Sequence, residues 1–435
     1  MSSARILACT FDAPHFTGGP NIWLRRLSNF LISRGCEIRA LVFVLEAPSY
    51  RLPEDYPLLA WLRRQGIGFD VFPNWETVEK KIHWILARVE DFRPTVFMPN
   101  FVIPAMYASR WLRPTRLATI GVIHSDDTYH RALLERFVAG APAYRLTDVV
   151  AVSPYLMTAV ERLATPETKT LYIPYGVPIP DATARWPKGE PLRLLYAGRL
   201  EEEQKRISEV ARALCRAAQL PNVTATIAGD GRARAEVERI LAEEGRGRVT
   251  YVGMVDNARI QDLMAEHHVF VLLSDYEGLP ISLMEAMAVG LTPICTPTRS
   301  GVIELIDDGQ TGIIVPDRAE GFLAAVKRLA ASPDEWRRLS QNARQHILTA
   351  GYGLEACHKQ WLDLLTQRSL TAKYPGQSLM PRRTRLLGLP PPHPDVEEDQ
   401  WREPPPLVYY SRVGRAKLRS AVKRLFGKRN GDGDA

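Results

Sequence analysis

Long hydrophobic runs are lacking in this sequence of 435 residues. Its longest apolar stretches, such as residues 269–273, have the length of a β-strand, whereas a membrane-spanning helix needs about 20 apolar residues. The first residues contain an early Arg and then Asp12, without the longer apolar core that a secretory signal requires. We therefore expect a globular protein with neither a spanning helix nor a secretory signal.

Cysteine is also scarce, and no two cysteines are close enough in sequence to form a C-x-x-C pair. An odd, scattered set argues against a disulfide framework and against a zinc site. The sequence therefore predicts reduced, mostly buried thiols and a cytoplasmic location. The five cysteines are Cys9, Cys36, Cys215, Cys295 and Cys357.

The body of the protein has little net charge. Residues 370–435 contain 13 Lys/Arg and 7 Asp/Glu, which leaves +6 of the total +7 in this segment and only +1 in residues 1–369. The positive charge therefore belongs to the C-terminal extension, and nucleic acid is an unlikely partner for the body.

Short β-rich apolar runs alternate with helical patterns, which is typical of an α/β fold with parallel sheets covered by helices. A turn-rich stretch with five prolines, residues 174–191, interrupts the alternation and has the composition of a linker. The pattern predicts two doubly wound, Rossmann-like domains that face each other across a cleft. Strands are predicted at residues 5–10, 39–45, 95–98, 118–124, 149–153, 192–197, 223–228, 249–251, 269–273 and 293–295.

The expected organisation has five parts. An N-terminal domain (1–180) is followed by a second domain (190–350) and a helix (351–369). Residues 370–410 form a Pro-rich linker that is not expected to pack against a core. Residues 411–435 form a basic amphipathic tail.

The basic tail has the composition of an interfacial membrane helix. Residues 412–429 contain eight basic and no acidic side chains, and the apolar residues fall largely on one helical stripe. An anionic membrane surface bound through residues 411–429 is therefore one prediction. The alternatives are a helix packed on this protein or on a partner, a solvated tail and, least favoured, a nucleic-acid-binding segment.

Two cations follow a predicted strand of the second domain. Arg199 comes directly after Gly198, and Lys205 lies six positions further on. The carboxyl ends of parallel strands are where α/β sheets bind ligands, and Arg with Lys can hold a diphosphate. The alternative is that both side chains are solvated surface residues.

A tight turn, Gly229-Asp230-Gly231, separates a predicted strand from a helix. Glycines at such a turn permit close approach of a ligand to the backbone, but an ordinary strand-to-helix turn is equally consistent. The third glycine of a dinucleotide fingerprint is missing, which argues against a nicotinamide dehydrogenase.

The strongest pattern is residues 274–290, in which a buried strand leads to Glu277-Gly278, then Pro280 at a helix start, and then Glu285. The free amides at a helix start form an anion site. Carboxylates eight residues apart, roughly 12 Å along a helix, would contact hydroxyl groups on either side of a diphosphate. The alternative is that Glu277 caps the helix and Glu285 is solvated.

Residues 198–205 and 274–290, with Glu277 and Glu285 as an E-x7-E pair, resemble the retaining glycosyltransferases of the GT-B fold, family 4. The resemblance extends over about residues 1–365. It includes the Gly18-Gly19 loop, His124 at the end of a strand, Ser153 at a helix start, and residues 172–177, 300–304 and 308–316. Tyr175 and Pro178 depart from the family pattern in the linker.

The resemblance implies that residues 1–180 are the acceptor-side domain, that residues 190–350 are the nucleotide-sugar-binding domain, and that the helix at 351–369 returns toward the first domain. It also implies a role for each matching residue. Arg199 and Lys205 would neutralise the donor diphosphate, Glu277 would bind sugar hydroxyls, Glu285 would bind the ribose, and His124 would lie over the reacting sugar. The other implied donor contacts are Gly18, Gly19, Gly198, Gly229, Asp230, Gly231, Val252, Gly253, Met254, Val255, Gly278, Leu279 and Pro280.

The activity implied is metal-independent retaining transfer of a sugar from a nucleotide diphosphate donor, with UDP or GDP favoured, to an acceptor hydroxyl. No cofactor is implied. The acceptor would be a glycan or lipid-linked glycan of polysaccharide or cell-envelope biosynthesis, and the protein could lie on the inner face of the membrane. The alternatives are another GT-B enzyme, such as an epimerase or a phosphorylase, and a non-catalytic sugar-nucleotide-binding or scaffold protein.

Asp126 and Asp127, which follow His124, either touch the acceptor or cap the next helix.

Overall fold

A computed structural model describes residues 3–14, 18–45, 56–74, 76–256, 259–376, 378–379 and 388–396. The basic tail lies outside these residues, so its membrane helix remains a prediction. Within the described ranges, no helix combines the length and the apolar character needed to cross a bilayer.

The N-terminal unit is a seven-stranded parallel sheet in the order β3-β2-β1-β4-β5-β6-β7. Its central strand β1 is almost entirely buried and pairs with β2 and β4, with Ile6 opposite Ile38 and Val96. Burial on both faces explains why the inner strands are continuous apolar runs. The strands are β1 (Arg5–Asp12), β2 (Glu37–Val44), β3 (Gly68–Pro73), β4 (Val96–Met98), β5 (Ala118–Ile123), β6 (Asp148–Ala151) and β7 (Lys169–Tyr172). The helices are α1 (Gly19–Ser33), α2 (Pro57–Arg64), α3 (Val78–Phe92), α4 (Ile103–Leu112), α5 (Thr128–Leu134) and α6 (Pro154–Leu163).

The C-terminal unit is a six-stranded parallel sheet in the order β10-β9-β8-β11-β12-β13. Its strands are β8 (Leu192–Ala197), β9 (Val223–Ala228), β10 (Val249–Gly253), β11 (Val269–Leu272), β12 (Thr292–Cys295) and β13 (Ile313–Ile314). Its helices are α7 (Ile207–Ala217), α8 (Arg234–Glu244), α9 (Ile260–Ala265), α10 (Ile281–Val289), α11 (Val302–Leu305), α12 (Glu320–Ala331) and α13 (Pro333–Thr349). The two sheets confirm the predicted α/β class with two doubly wound units.

The last helix of the described residues, α14 (Leu354–Ser369), packs against the N-terminal unit. The ring of Trp361 lies 5.2 Å from that of Trp23 on α1, and Arg368 is paired with buried Asp148 at 2.7 Å. The chain therefore crosses between the units twice.

The expectation that the Pro-rich segment does not pack against a core is wrong for its described parts. Leu379 is buried, and the Tyr374 hydroxyl donates to the carbonyl of Pro94 at 2.8 Å. Further on, Arg136 donates to the carbonyl of Pro391 at 2.7 Å. This segment packs along the N-terminal unit without regular secondary structure. It is held there by apolar side chains between the prolines and by backbone carbonyls that accept hydrogen bonds from arginines.

Candidate functional site

A cavity of about 280 Å³ lies between the two units. Its walls come from the segments that follow β1 and β5 in the N-terminal unit and β8 and β11 in the C-terminal unit. Eleven of the residues predicted for the site line it: Gly18, Gly19, His124, Gly198, Arg199, Lys205, Glu277, Gly278, Leu279, Pro280 and Glu285.

Inside this cavity, the two cations after β8 are linked to Glu277, Lys205 directly and Arg199 through Gln204. Lys205 Nζ lies 2.5 Å from Glu277 Oε1, and the two residues are only 8% and 5% exposed. Gln204 links the pair to Arg199, because its amide oxygen accepts from Arg199 Nη2 at 2.7 Å and its nitrogen donates to Glu277 Oε2 at 3.3 Å. The reading of Lys205 as a solvated surface lysine is therefore wrong. Arg199 keeps a second partner, Glu201, at 2.7 Å.

Glu285 is held by an arginine of the opposite unit. Its carboxylate pairs with Arg26 on α1, and Glu285 is 4% exposed. The alternative of a solvated Glu285 is therefore wrong. The helix geometry assumed for the carboxylate pair is also wrong, because α10 begins at Ile281 with Pro280 as its N-cap residue, so that Glu277 precedes the helix and does not cap it.

Backbone contact between the units occurs at Gly278. This glycine forms an antiparallel bridge with Ser125, which directly follows His124. A Cβ atom at Gly278 would lie 1.7 Å from the His124 carbonyl oxygen. The carbonyl of Gly278 accepts from Ser300 Oγ at 2.7 Å, and Ser300 Oγ lies 2.8 Å from Ser153 Oγ. Only glycine permits this approach of the two units.

Both ring nitrogens of His124 are bonded within the protein. Nδ1 accepts from the Tyr175 hydroxyl, and Nε2 lies 2.7 Å from the amide oxygen of Asn100. Burial lowers the pKa of His124 well below its usual value, so the ring is neutral. A hydrogen bond from His124 to a sugar would therefore require one of these two bonds to break.

The Gly229–Gly231 turn, which the resemblance implies as a donor contact, does not line the cavity. Gly229 packs against Gly198 so closely that a Cβ atom would be 1.9 Å from the Gly198 carbonyl oxygen, and its φ of 137° suits glycine. Gly253 accepts from the Gly229 amide at 2.7 Å, which places the end of β10 beside the turn. Seven of the implied donor contacts do not line the cavity: Gly229, Asp230, Gly231, Val252, Gly253, Met254 and Val255.

Asp127 both caps a helix and faces the cavity. Its carboxylate accepts from the His130 amide at 2.8 Å, as the capping alternative predicts, and it also accepts from His130 Nδ1 at 2.8 Å. Asp127 and His130 both line the cavity.

Several residues that contact or line the site were not found from the sequence. Arg26 and Asn100 act on site residues that lie far away in the chain. The local signals were weak: Asn100 follows β4 with a φ of +54°, and such backbone strain is enriched at functional sites but is invisible in a sequence. Gln204 directly precedes Lys205 and carried no motif of its own.

The sequence profile of the family described as "Glycosyl transferases group 1" matches residues 181–346. The chain is 34% identical over 171 residues to the alpha-D-kanosaminyltransferase of Streptomyces kanamyceticus, which covers 38% of this chain and 43% of that protein. It is 27% identical over 257 residues to the amylovoran biosynthesis glycosyltransferase AmsK of Erwinia amylovora, or 56% of this chain and 62% of that protein. The matched region thus spans about two fifths of the length of the kanosaminyltransferase.

Among solved structures, the Anabaena protein Alr3699/HepE in complex with UDP-glucose is similar to 84% of this chain over its own full length. The TM-score is 0.65 at 18% sequence identity, which shows the fold. The chain has the GT-B fold, and its residues 181–346 carry the sequence pattern of group 1 glycosyl transferases.

Proposed function

We propose that this protein is a retaining glycosyltransferase of family 4 that moves a sugar from a nucleoside diphosphate donor to an acceptor hydroxyl. The observation that carries the proposal is the buried Lys205–Glu277 pair beside Arg199, in a cavity between two doubly wound units. Two cations suit a diphosphate, and a carboxylate suits sugar hydroxyls. The names of the Streptomyces and Erwinia relatives support transfer chemistry.

In this proposal the diphosphate binds against Arg199 and Lys205. Sugar hydroxyls donate to Glu277 and take over the place of the Lys205 ammonium, which turns toward the phosphates. The bond from the anomeric carbon to the phosphate oxygen breaks, and the nucleoside diphosphate leaves with the electron pair. Fixed positive charge stabilises the negative charge that grows on the leaving group, so no metal ion or cofactor is required.

The acceptor oxygen then forms the new bond to the anomeric carbon. The Ser125–Gly278 bridge keeps the two units closed at this point and limits the access of water. UDP is the first choice of donor nucleotide, because the similar Anabaena structure holds UDP-glucose. The name of the Erwinia relative supports a glycan acceptor of polysaccharide biosynthesis.

Thermal denaturation with UDP-, GDP- and ADP-glucose, followed by nucleotide release from the donor that binds, tests the proposal. Lys205→Ala should abolish the donor-induced rise in Tm and lower the release rate by about 100-fold or more. Lys327→Ala is the matched control, because Lys327 is exposed on α12 and does not line the cavity. Release by Lys205→Ala at the wild-type rate would refute the site.

Membrane association through residues 411–429 is proposed from sequence alone. Flotation with anionic vesicles should recover the full chain but not a chain that lacks residues 407–435, because each basic residue near an anionic surface contributes about 1 kcal/mol. Equal recovery of both forms would reject membrane docking.

A further inference from the structure

His130, in the first turn of α5, lines the cavity together with Asp127. It is 8% exposed, and its Nε2 atom is buried without a hydrogen-bond partner in the described part of the chain. A buried polar atom without a hydrogen-bond partner destabilises the folded protein, so its retention needs a reason. His124, by contrast, uses both of its nitrogens within the protein.

Asp127 determines which nitrogen of His130 carries the proton. Its carboxylate lies 2.8 Å from His130 Nδ1, so Nδ1–H donates to it and Nε2 keeps its lone pair. Although burial opposes ionisation, the hydrogen bonds from the His130 side chain and amide hold the pKa of Asp127 below its usual value. An ionised carboxylate therefore orients the ring and stabilises it if it gains a proton.

A second opening reaches the same carboxylate from outside. A groove of about 540 Å³ shares Asp127, Arg199 and Gln204 with the cavity. Its outer wall includes Asp126 and Arg131, which are paired at 2.9 Å. The groove therefore offers an acceptor a second route to Asp127, the hydrogen-bond partner of His130, while the donor occupies the cavity.

We propose that His130 Nε2 binds the acceptor hydroxyl and takes its proton as that oxygen attacks the anomeric carbon. This inference rests on the proposed function. The oxygen–carbon bond forms, the carbon–phosphate oxygen bond breaks, and the nucleoside diphosphate leaves with the electron pair. The acceptor proton passes to His130, which becomes an imidazolium paired with Asp127. His130 is thus a catalytic residue, and Asp127 is a positioning residue.

The test measures nucleotide release from the donor found in the thermal screen, with water as the acceptor. His130→Ala should lower the rate by about 100-fold or more and leave the KM for the donor within about twofold. Added imidazole should restore part of the rate, which a purely structural defect would not allow. Asp127→Asn keeps a good helix cap and should lower kcat by about tenfold without a change in KM.

The matched control is His83→Ala, because His83 also has a buried Nε2 without a partner among the described residues but does not line the cavity. It should release nucleotide at the wild-type rate. His130→Gln serves as a second variant if His130→Ala does not fold, and it should show the same loss of kcat.

Two results would overturn the inference. One is a wild-type rate in the His130 variants, and the other is an equal loss of donor affinity and rate without recovery in imidazole. Failure of the proposed function looks different, because Lys205→Ala would then have no effect. If Lys205→Ala has its effect and the His130 variants do not, only the role of His130 is wrong.

Discussion

Gly278→Ala should separate the two units at the point where their backbones touch. The added Cβ atom would lie 1.7 Å from the His124 carbonyl oxygen, 2.5 Å from its carbonyl carbon and 2.9 Å from Ser125 Cα. Each of these is a backbone atom, so no side-chain rotation can relieve the overlap. The bridge between Ser125 and Gly278 must therefore break.

The size of the effect follows from these contacts. The units must move apart by at least about 1 Å locally, and a misplacement of about 1 Å can lower a rate by about 100-fold. Stability should change little, because each unit is built around its own sheet and the bridge joins only Ser125 and Gly278. We therefore expect a loss of kcat of about 100-fold with a Tm within a few degrees of the wild type.

Nucleotide release and thermal denaturation measure the two quantities, and small-angle scattering reports the separation of the units. Gly376→Ala is the matched control, because no atom lies within 4 Å of its added Cβ and its φ is not in the left-handed region. Wild-type turnover by Gly278→Ala would show that contact between the units at this glycine does not matter for the reaction.

Two further predictions concern stability. Arg26→Ala leaves the buried carboxylate of Glu285 without its partner and should lower Tm by several degrees, whereas adding Glu285→Gln should restore part of the loss, because a lone buried charge costs more than a missing pair. Burial lowers the pKa of His268 to about 4, below its value of about 6.5 in the unfolded chain, so stability present above pH 6.5 should be lost as the pH falls toward 4. The free energy of unfolding should fall by about 3 kcal/mol over this pH range because of His268. His268→Gln should remove this pH-dependent loss from denaturant unfolding curves.

Each of these predictions has a clear contradicting outcome. An Arg26→Ala protein that melts with the wild type would mean that Glu285 is stabilised in some other way. A His268→Gln protein with the same pH dependence as the wild type would assign the acid sensitivity to other buried histidines, such as His358, whose pKa burial also lowers to about 4.

The central strands of both sheets could be predicted because parallel strands buried on two faces are continuous apolar runs. The strands that were missed lie at sheet edges: β3, β7 and β13. In β3 and β7 no residue is fully buried, so their sequences mix polar and apolar side chains without a clear pattern. The packing of the Pro-rich segment was not predicted for a different reason. Composition does not reveal that an isolated Tyr374 or Leu379 packs against the N-terminal unit.

The site residues that come soon after the end of a strand in the sequence could be predicted. Arg199, Lys205, Glu277 and Glu285 belong to two local motifs, and neighbouring parallel strands bring such motifs to one edge of a sheet. Arg26 could not be predicted as a partner, because its contact with Glu285 depends on how the two units pack. The same holds for Asn100, which meets His124 only through the pairing of β4 and β5.

The return of the Pro-rich segment along the N-terminal unit affects where this protein can be shortened. A chain truncated after α14, at Ser369, would expose the surfaces that Tyr374 and Leu379 now cover. Exposed apolar patches of this kind promote self-association. A stop codon after Val396 leaves that shielding in place. Truncation studies of the basic tail should therefore cut beyond residue 396, so that a loss of vesicle binding is not mistaken for aggregation.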